Sequence, residues 1–380
     1  MIAPQDVERL TKSTEKHCLT LYFNTRSDQA RASYPARLRS LLRGVRDSVP
    51  TEDHKAFDQI VAKASNFIGQ YQPAGNSVLI FAGPKSWDEF SSRVPVRDEV
   101  TWGQPNTAQL LWLLEEYRPY GVLVAGIEHV RFLAVRFGEF EAFQEFHADI
   151  DTSQWREQRV GASGRGGAVQ KGGRSPDAFD HRYMEQVKHF WKTLHKPLAE
   201  LVERYHIRRL VLAGTKSVLP EFARSLPPGI SNLVVTQLNM ETFTNPADAV
   251  QKVYPGITAW EQQRERGVVA ELLGAAGVGG KKAAVGVAPV LKYVQDGRAA
   301  SLVLAKDFDA EVSHCGKCRY VGPGSDVQCP KCSADDMVKA SLAGILPRLM
   351  VDHGLPVEVV KGEAAAELTR SGGVGAFLRF

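Results

Sequence analysis

Four of the five cysteines fall within eighteen residues, in the stretch CGKCRYVGPGSDVQCPKC. Cys315, Cys318, Cys329 and Cys332 are spaced Cys-x2-Cys-x10-Cys-x2-Cys. Two such short turns can aim four thiolates at one tetrahedral centre, about 2.3 Å from each sulfur. Each pair encloses a turn-forming residue and a lysine, Gly316–Lys317 and Pro330–Lys331. Neighbouring cations favour the net negative charge that four thiolates bring. With four sulfur ligands no position stays open for a substrate, so the expected cofactor is a structural Zn2+. An iron-substituted or metal-free site and thiol redox chemistry are the alternatives. His314 precedes the first ligand and reads as its neighbour, not its substitute. The fifth cysteine, Cys18 in HCLTLYF, reads as a small buried apolar residue.

A second stretch, VGASGRGGAVQKGGRSP from Val160 to Pro176, places six glycines among basic residues. It lacks the G-x-x-x-x-G-K-[ST] register of a nucleotide-phosphate loop and the dinucleotide-binding pattern. Around it Arg156, Arg159, Arg165, Lys171 and Arg174 face one acid, Glu157. Such a segment has too little apolar surface to build a core of its own. Glycine lets a backbone approach another surface closely. The composition therefore suits a mobile cationic probe for a large anionic partner, best an RNA. A solvated linker is the plainer alternative.

The elements that must carry these motifs are legible in the hydrophobic pattern. The 380 residues, 43% hydrophobic and 24% charged with a formal charge of +4, describe a globular chain too long for one ordinary core. No apolar run approaches a membrane span, and no signal core opens the chain, so a cytoplasmic location without membrane contact is expected. The predicted fold class is multidomain α/β, in three domains. The first, 1–117, is α/β: an apolar strand over CLTLYF, helices over YPARLRSLLRGVRDSV and TEDHKAFDQIVAKASNFIGQY, a buried strand in NSVLIFAG, one or two exposed strands in SRVPVRDEVTWG, and a helix in NTAQLLWLLEEYRP. The second, 118–244, opens with a three-strand meander turned at Gly126–Glu128 and Gly138–Glu139. The glycine-rich basic loop, 156–176, follows, and then a long helix that Pro197 kinks or splits. Strands IRRLVLAG and SNLVVTQL flank a short helix. The third domain, 245–380, reads as α/β/α with a zinc-binding insertion at 313–334. There, AAVGVAPVLKYVQDGRA and MVKASLAGILPRLMVDHG are predicted helices, and ASLVLAKDF and PVEVV are predicted strands.

Taken in order, YGVLVAG, GRGG, DHRYMEQVKHFW and RRLVLAG resemble the middle domain of the archaeal and eukaryotic class-one peptide release factors. In that family a meander leads to a GRGGQ loop, a long helix and a similar strand. GVAPVLKYVQDGRAASLVLAKDF and the closing GGVGAFLRF resemble the family's third domain, where archaeal members often carry a small zinc element. The resemblance runs from about Tyr120 to Phe380. The first 117 residues carry neither the NIKS nor the YxCxxxF motif with which the family reads stop codons. The chain thus resembles the bacterial branch of the release factor and Pelota superfamily, which includes presumed ribosome-rescue factors and the hibernation factor Balon.

This resemblance implies a ribosome-binding translation factor in the A site, against rRNA, with the loop reaching the tRNA 3′ end in the peptidyl-transferase centre and the third domain facing a translational GTPase. Gly166, Gly167 and Gln170 become the catalytic candidates for peptidyl-tRNA ester hydrolysis, with Arg156, Arg159, Arg165, Lys171 and Arg174 contacting RNA. In the family the glutamine follows the glycine pair directly; here Ala168 and Val169 intervene. Three functions stay open: rescue of stalled ribosomes by hydrolysis without stop-codon reading, a non-catalytic Balon-like hibernation factor, and a general RNA-binding protein. His181, His189 and His195 read as face or core residues of the long helix, and Trp112 and Trp191 as packing residues. Arg208–Arg209 reads as a solvated strand end, with RNA contact the alternative.

Overall fold

The computed structural model describes residues 2, 4–26, 30–150, 176–277 and 282–379. It divides into two compact units, Met1–Arg118 with Gln262–Phe380, and Pro119–Glu261.

In the first unit, after α1 (Pro4–Thr11), an antiparallel sheet runs in the order β3-β2-β1-β4, from β1 (Cys18–Asn24), β2 (Ser77–Ala82), β3 (Trp87–Ser92) and β4 (Glu99–Gly103). The two central strands, CLTLYFN and SVLIFA, are apolar at nearly every position because both of their faces are covered. Leu19, Leu21 and Phe23 pack with Leu38 of α2 (Tyr34–Arg46) and with Phe57 and Ile60 of α3 (His54–Gln70). On the other face Tyr22 donates its hydroxyl to the Asn106 carbonyl at 2.6 Å and accepts from the Leu110 amide. That bond seats the start of α4 (Ala108–Glu116).

The second sheet of this unit has the order β10-β16-β11-β15, from β10 (Ala283–Val285), β11 (Ala299–Ala305), β15 (Val357–Val360) and β16 (Val374–Leu378). Helices cover both faces. Leu302, Leu304 and Ala376 meet Val290, Leu291, Ile345 and Leu346, while Val303, Ala305 and Val360 meet Val269, Leu272 and Leu368. Val290 and Leu291 lie on a helix spanning Val287–Gln295, Ile345 and Leu346 on one spanning Leu342–His353, and Leu368 on one spanning Gly362–Arg370. The glycine turn before β16 is required by backbone geometry: Gly372 and Gly373 have φ of 103° and 73°, where a side chain is strained.

The second unit holds five strands in the order β7-β6-β5-β8-β9: β5 (Tyr120–Ala125), β6 (His129–Arg136), β7 (Glu139–His147), β8 (Leu210–Gly214) and β9 (Val234–Asn239). The first three form the expected antiparallel meander, and β8 and β9 join in parallel. One face packs on α5 (Pro176–Thr193) and α6 (His195–Arg204) through Trp191, Leu194, Leu198 and Leu201. The other packs on Ala249, Val250, Val253 and Ile257 of a helix that runs Pro246–Gly277. The predicted long helix breaks at Leu194, which leaves Pro197 in the first turn of α6, where its missing N–H costs no hydrogen bond.

Two predicted helices begin as strands. Ala283–Val285 pairs with β16, and the helix starts only after Gly286 at φ 88°. Met337–Ser341 is a strand, β14, and Ser341 then caps the following helix by accepting the Gly344 amide at 3.1 Å. Within SRVPVRDEVTWG, Ser92 ends β3 and Glu99–Gly103 forms β4, while the stretch around Pro95 between them is not strand. Among the described residues no helix is long and apolar enough to cross a membrane.

Candidate functional site

Sequence folds the cysteine stretch into two matching knuckles. β12 (Glu311–Cys315) pairs with β13 (Val321–Pro323) on one side and β14 on the other, making a small antiparallel sheet. In the first knuckle the Arg319 amide donates to the Cys315 carbonyl at 3.0 Å; in the second the Ser333 amide donates to the Cys329 carbonyl at 2.8 Å. The residue after each second cysteine, Arg319 or Ser333, takes positive φ, 64° and 55°. The two turns are thus the same device used twice. A Cβ at Gly316 would lie 2.3 Å from an Asp336 carboxylate oxygen, so a larger residue there would push that side chain aside.

The knuckles bring Cys315, Cys318, Cys329 and Cys332 together, all four sulfurs within 4.8 Å of one another. Cys315 and Cys332 Sγ lie 3.6 Å apart, and Cys318 and Cys329 Sγ 3.4 Å apart. A tetrahedron of zinc–sulfur bonds has edges of about 3.8 Å, so the donor set fits the metal. Burial alone would raise the Cys329 thiol, but the backbone amides of Cys332 and Lys331 outweigh it and hold it down to about 7. The neighbouring Cys332 thiol, despite the Ala334 amide, is pushed the other way, up to about 12, by burial and the other three sulfurs. His314 lies outside this set; burial, then Arg348, lowers its imidazole.

The candidates Gly166, Gly167 and Gln170, with Arg156, Arg159, Arg165, Lys171 and Arg174, lie outside the described residues. What the structure does describe is the mount on either side of them. β7 ends at His147, and the next amide, Ala148, donates to the Glu128 carbonyl at 2.7 Å. Across the segment, Tyr183 of α5 donates its phenol to Glu128 Oε1 at 2.5 Å. Trp191 of the same helix donates its indole N–H to the Gly126 carbonyl at 3.3 Å. One tight turn, Gly126–Glu128, therefore anchors both the strand leaving toward the glycine segment and the helix returning from it. Burial and the bond to Glu128 push the Tyr183 phenol up to about 12, so it stays a donor at neutral pH.

The other sequence candidates separate cleanly. Trp191 is 1% exposed and belongs to the core. His181 and His189 are exposed on α5, and His195 meets the Ser225 carbonyl at 2.7 Å. Arg208 is exposed, while Arg209 pairs with Glu261. Cys18 is buried, and burial pushes its thiol up to about 12. Trp112 packs against the core of the first unit and also lines two clefts there. The Tyr183–Glu128 bond was not legible beforehand, although a tyrosine in the first turns after the glycine segment was the available signal.

Comparison with known proteins follows this geometry. Residues 105–254 match the model of the family described as bacterial archaeo-eukaryotic release factor family 10. The matched stretch contains the meander, the glycine segment and β8. No curated protein matches the chain. Among solved structures the chain is similar to an archaeal translation termination factor, aRF1, at 15% identity over 100% of this chain and 99% of that one, with a TM-score of 0.28. It is similar to S. cerevisiae Dom34, a translation termination-like factor interacting with Hbs1, at 12% identity over 80% and 79%, with a TM-score of 0.44. A ribosome-bound archaeal Pelota with ABCE1 is similar at 12% identity over 99% and 94%, with a TM-score of 0.43.

Proposed function

We propose that this protein is a ribosome-associated translation factor that occupies the A site and rescues stalled ribosomes by hydrolysing peptidyl-tRNA without reading a stop codon. The observation that carries this reading is the family match across 105–254, which takes in the whole glycine segment with its GRGG at 164–167. The two anchors on the Gly126–Glu128 turn support it, because a probe works only from a fixed base. In this reading Gly166 and Gly167 permit close approach to the tRNA 3′ end. Gln170 orients the attacking water and stabilises developing charge. Arg156, Arg159, Arg165, Lys171 and Arg174 bind rRNA phosphates, and a translational GTPase meets the C-terminal region. The zinc is structural and takes no part in the reaction.

One specific observation favours a second reading. Gln170 stands two residues beyond its place in the family's loop, up to roughly 7 Å of extended chain. Misplacement by about 1 Å costs about 10²-fold in rate. A non-catalytic, Balon-like factor that occupies idle ribosomes needs the cationic segment but not the glutamine. Peptide release from a purified stalled complex, compared between the native chain and Gln170→Ala, separates the two.

A further inference from the structure

Within the first unit, a cleft of about 450 Å3 opens between its N-terminal and C-terminal segments. A second of about 370 Å3 adjoins it, and the two share Arg97 and Trp112. Neither belongs to the glycine segment or to the cysteine site.

The charges of this cleft are unevenly satisfied. Its carboxylates are already engaged: Glu99 accepts from Asn106 and Gln109, and Asp309 Oδ1 accepts the amides of Ala310 and Ala343. Its cations are held less firmly. Arg97 is exposed, and its guanidinium makes no ion pair or hydrogen bond among the described residues. Arg348 holds only a 3.3 Å bond to Gln104 and a 3.6 Å pair with Asp352. Thr101 Oγ1 and His314 Nδ1 also line the cleft, buried without a protein partner. Buried polar atoms of this kind call for an explanation. Half-buried Trp112 contributes an aromatic surface. A cleft with one large ring, two guanidiniums and unpaired polar atoms matches a ligand that joins a planar ring to an anion.

We propose that this cleft binds a nucleotide, its base against Trp112 and its phosphate between Arg97 and Arg348. A cleft of about 450 Å3 has room for one ring system with a phosphate. The source is either a free nucleotide or an unpaired nucleotide of RNA, and the chemistry is the same for both.

Isothermal titration of the full chain with AMP, GMP, inorganic phosphate, a single-stranded RNA nonamer and hexaglutamate tests this. The expected result is saturable binding of a mononucleotide or of the nonamer, with phosphate at least tenfold weaker. Binding of the nonamer alone assigns the site to RNA; binding of AMP or GMP assigns it to the free nucleotide. Arg97→Gln, a change on an exposed side chain, should weaken binding at least tenfold with the melting temperature unchanged. Replacing Arg156, Arg159, Arg165, Lys171 and Arg174 together by Gln should leave the Arg97-dependent binding unaltered, which separates this site from the glycine segment. Absence of nucleotide and RNA binding, unchanged affinity in Arg97→Gln, or tighter binding of hexaglutamate would each overturn the proposal.

Discussion

Cys18 shows how one buried atom reaches a bulk property. Its thiol is raised from an ordinary 9.0 to about 12 by burial in β1. Above pH 9 the unfolded chain loses this proton while the folded chain keeps it. Stability therefore falls with rising pH across the window from 9 to 12, by up to about 1.4 kcal/mol per unit. Denaturant titrations at pH 8 and pH 10 should show a smaller loss for Cys18→Ala than for the native chain. Glu358 acts on stability through ion pairs instead. It pairs with Arg118 at 3.1 Å and with Arg264, and Arg118 also holds Glu115. The two arginine side chains are 35% and 28% exposed, so water weakens the pairs. Glu358→Gln should destabilise the first unit by roughly 1–2 kcal/mol, read from its unfolding midpoint.

At the scale of elements, the cysteine knuckles and the Gly126–Glu128 turn hold the two candidate sites in place. The spacing of the four cysteines made the first legible in the sequence, since ligand chemistry is local. Zinc analysis should find one ion per chain, lost in Cys329→Ser, and a strong chelator should lower the melting temperature by several degrees, because metal binding to the folded state is folding free energy. The second was legible only in part. The glycine at position 126 announced a turn, but the pairing of Glu128 with Tyr183, fifty-five residues away, is a long-range fact that no local pattern encodes. Tyr183→Phe keeps the ring and removes the donor; it should reduce function of the glycine segment severalfold while costing about 1 kcal/mol of stability or less. The same distinction explains the misread helices. Ala283–Val285 and Met337–Ser341 have no strand signature of their own, and their partners β16 and β12 decide them. Strands such as SVLIFA, whose apolar content is continuous, needed no such context.

For the whole molecule, the proposed function turns on five basic residues and one displaced glutamine. Replacing Arg156, Arg159, Arg165, Lys171 and Arg174 together by Gln should weaken ribosome co-sedimentation and flatten its salt dependence. The slope of log K against log salt should drop by about 3.5, given about 0.7 for each of the five phosphate contacts on single strands. An unchanged slope would place the RNA-binding charge elsewhere on the chain. The most direct test of the central claim is single-turnover peptide release from purified stalled ribosomes. Release by the native chain, reduced at least about 10²-fold in Gln170→Ala while ribosome binding is retained, is the expected result. Bound protein that frees no peptide, with or without Gln170, would contradict the hydrolytic account and leave occupancy of the ribosome as the function.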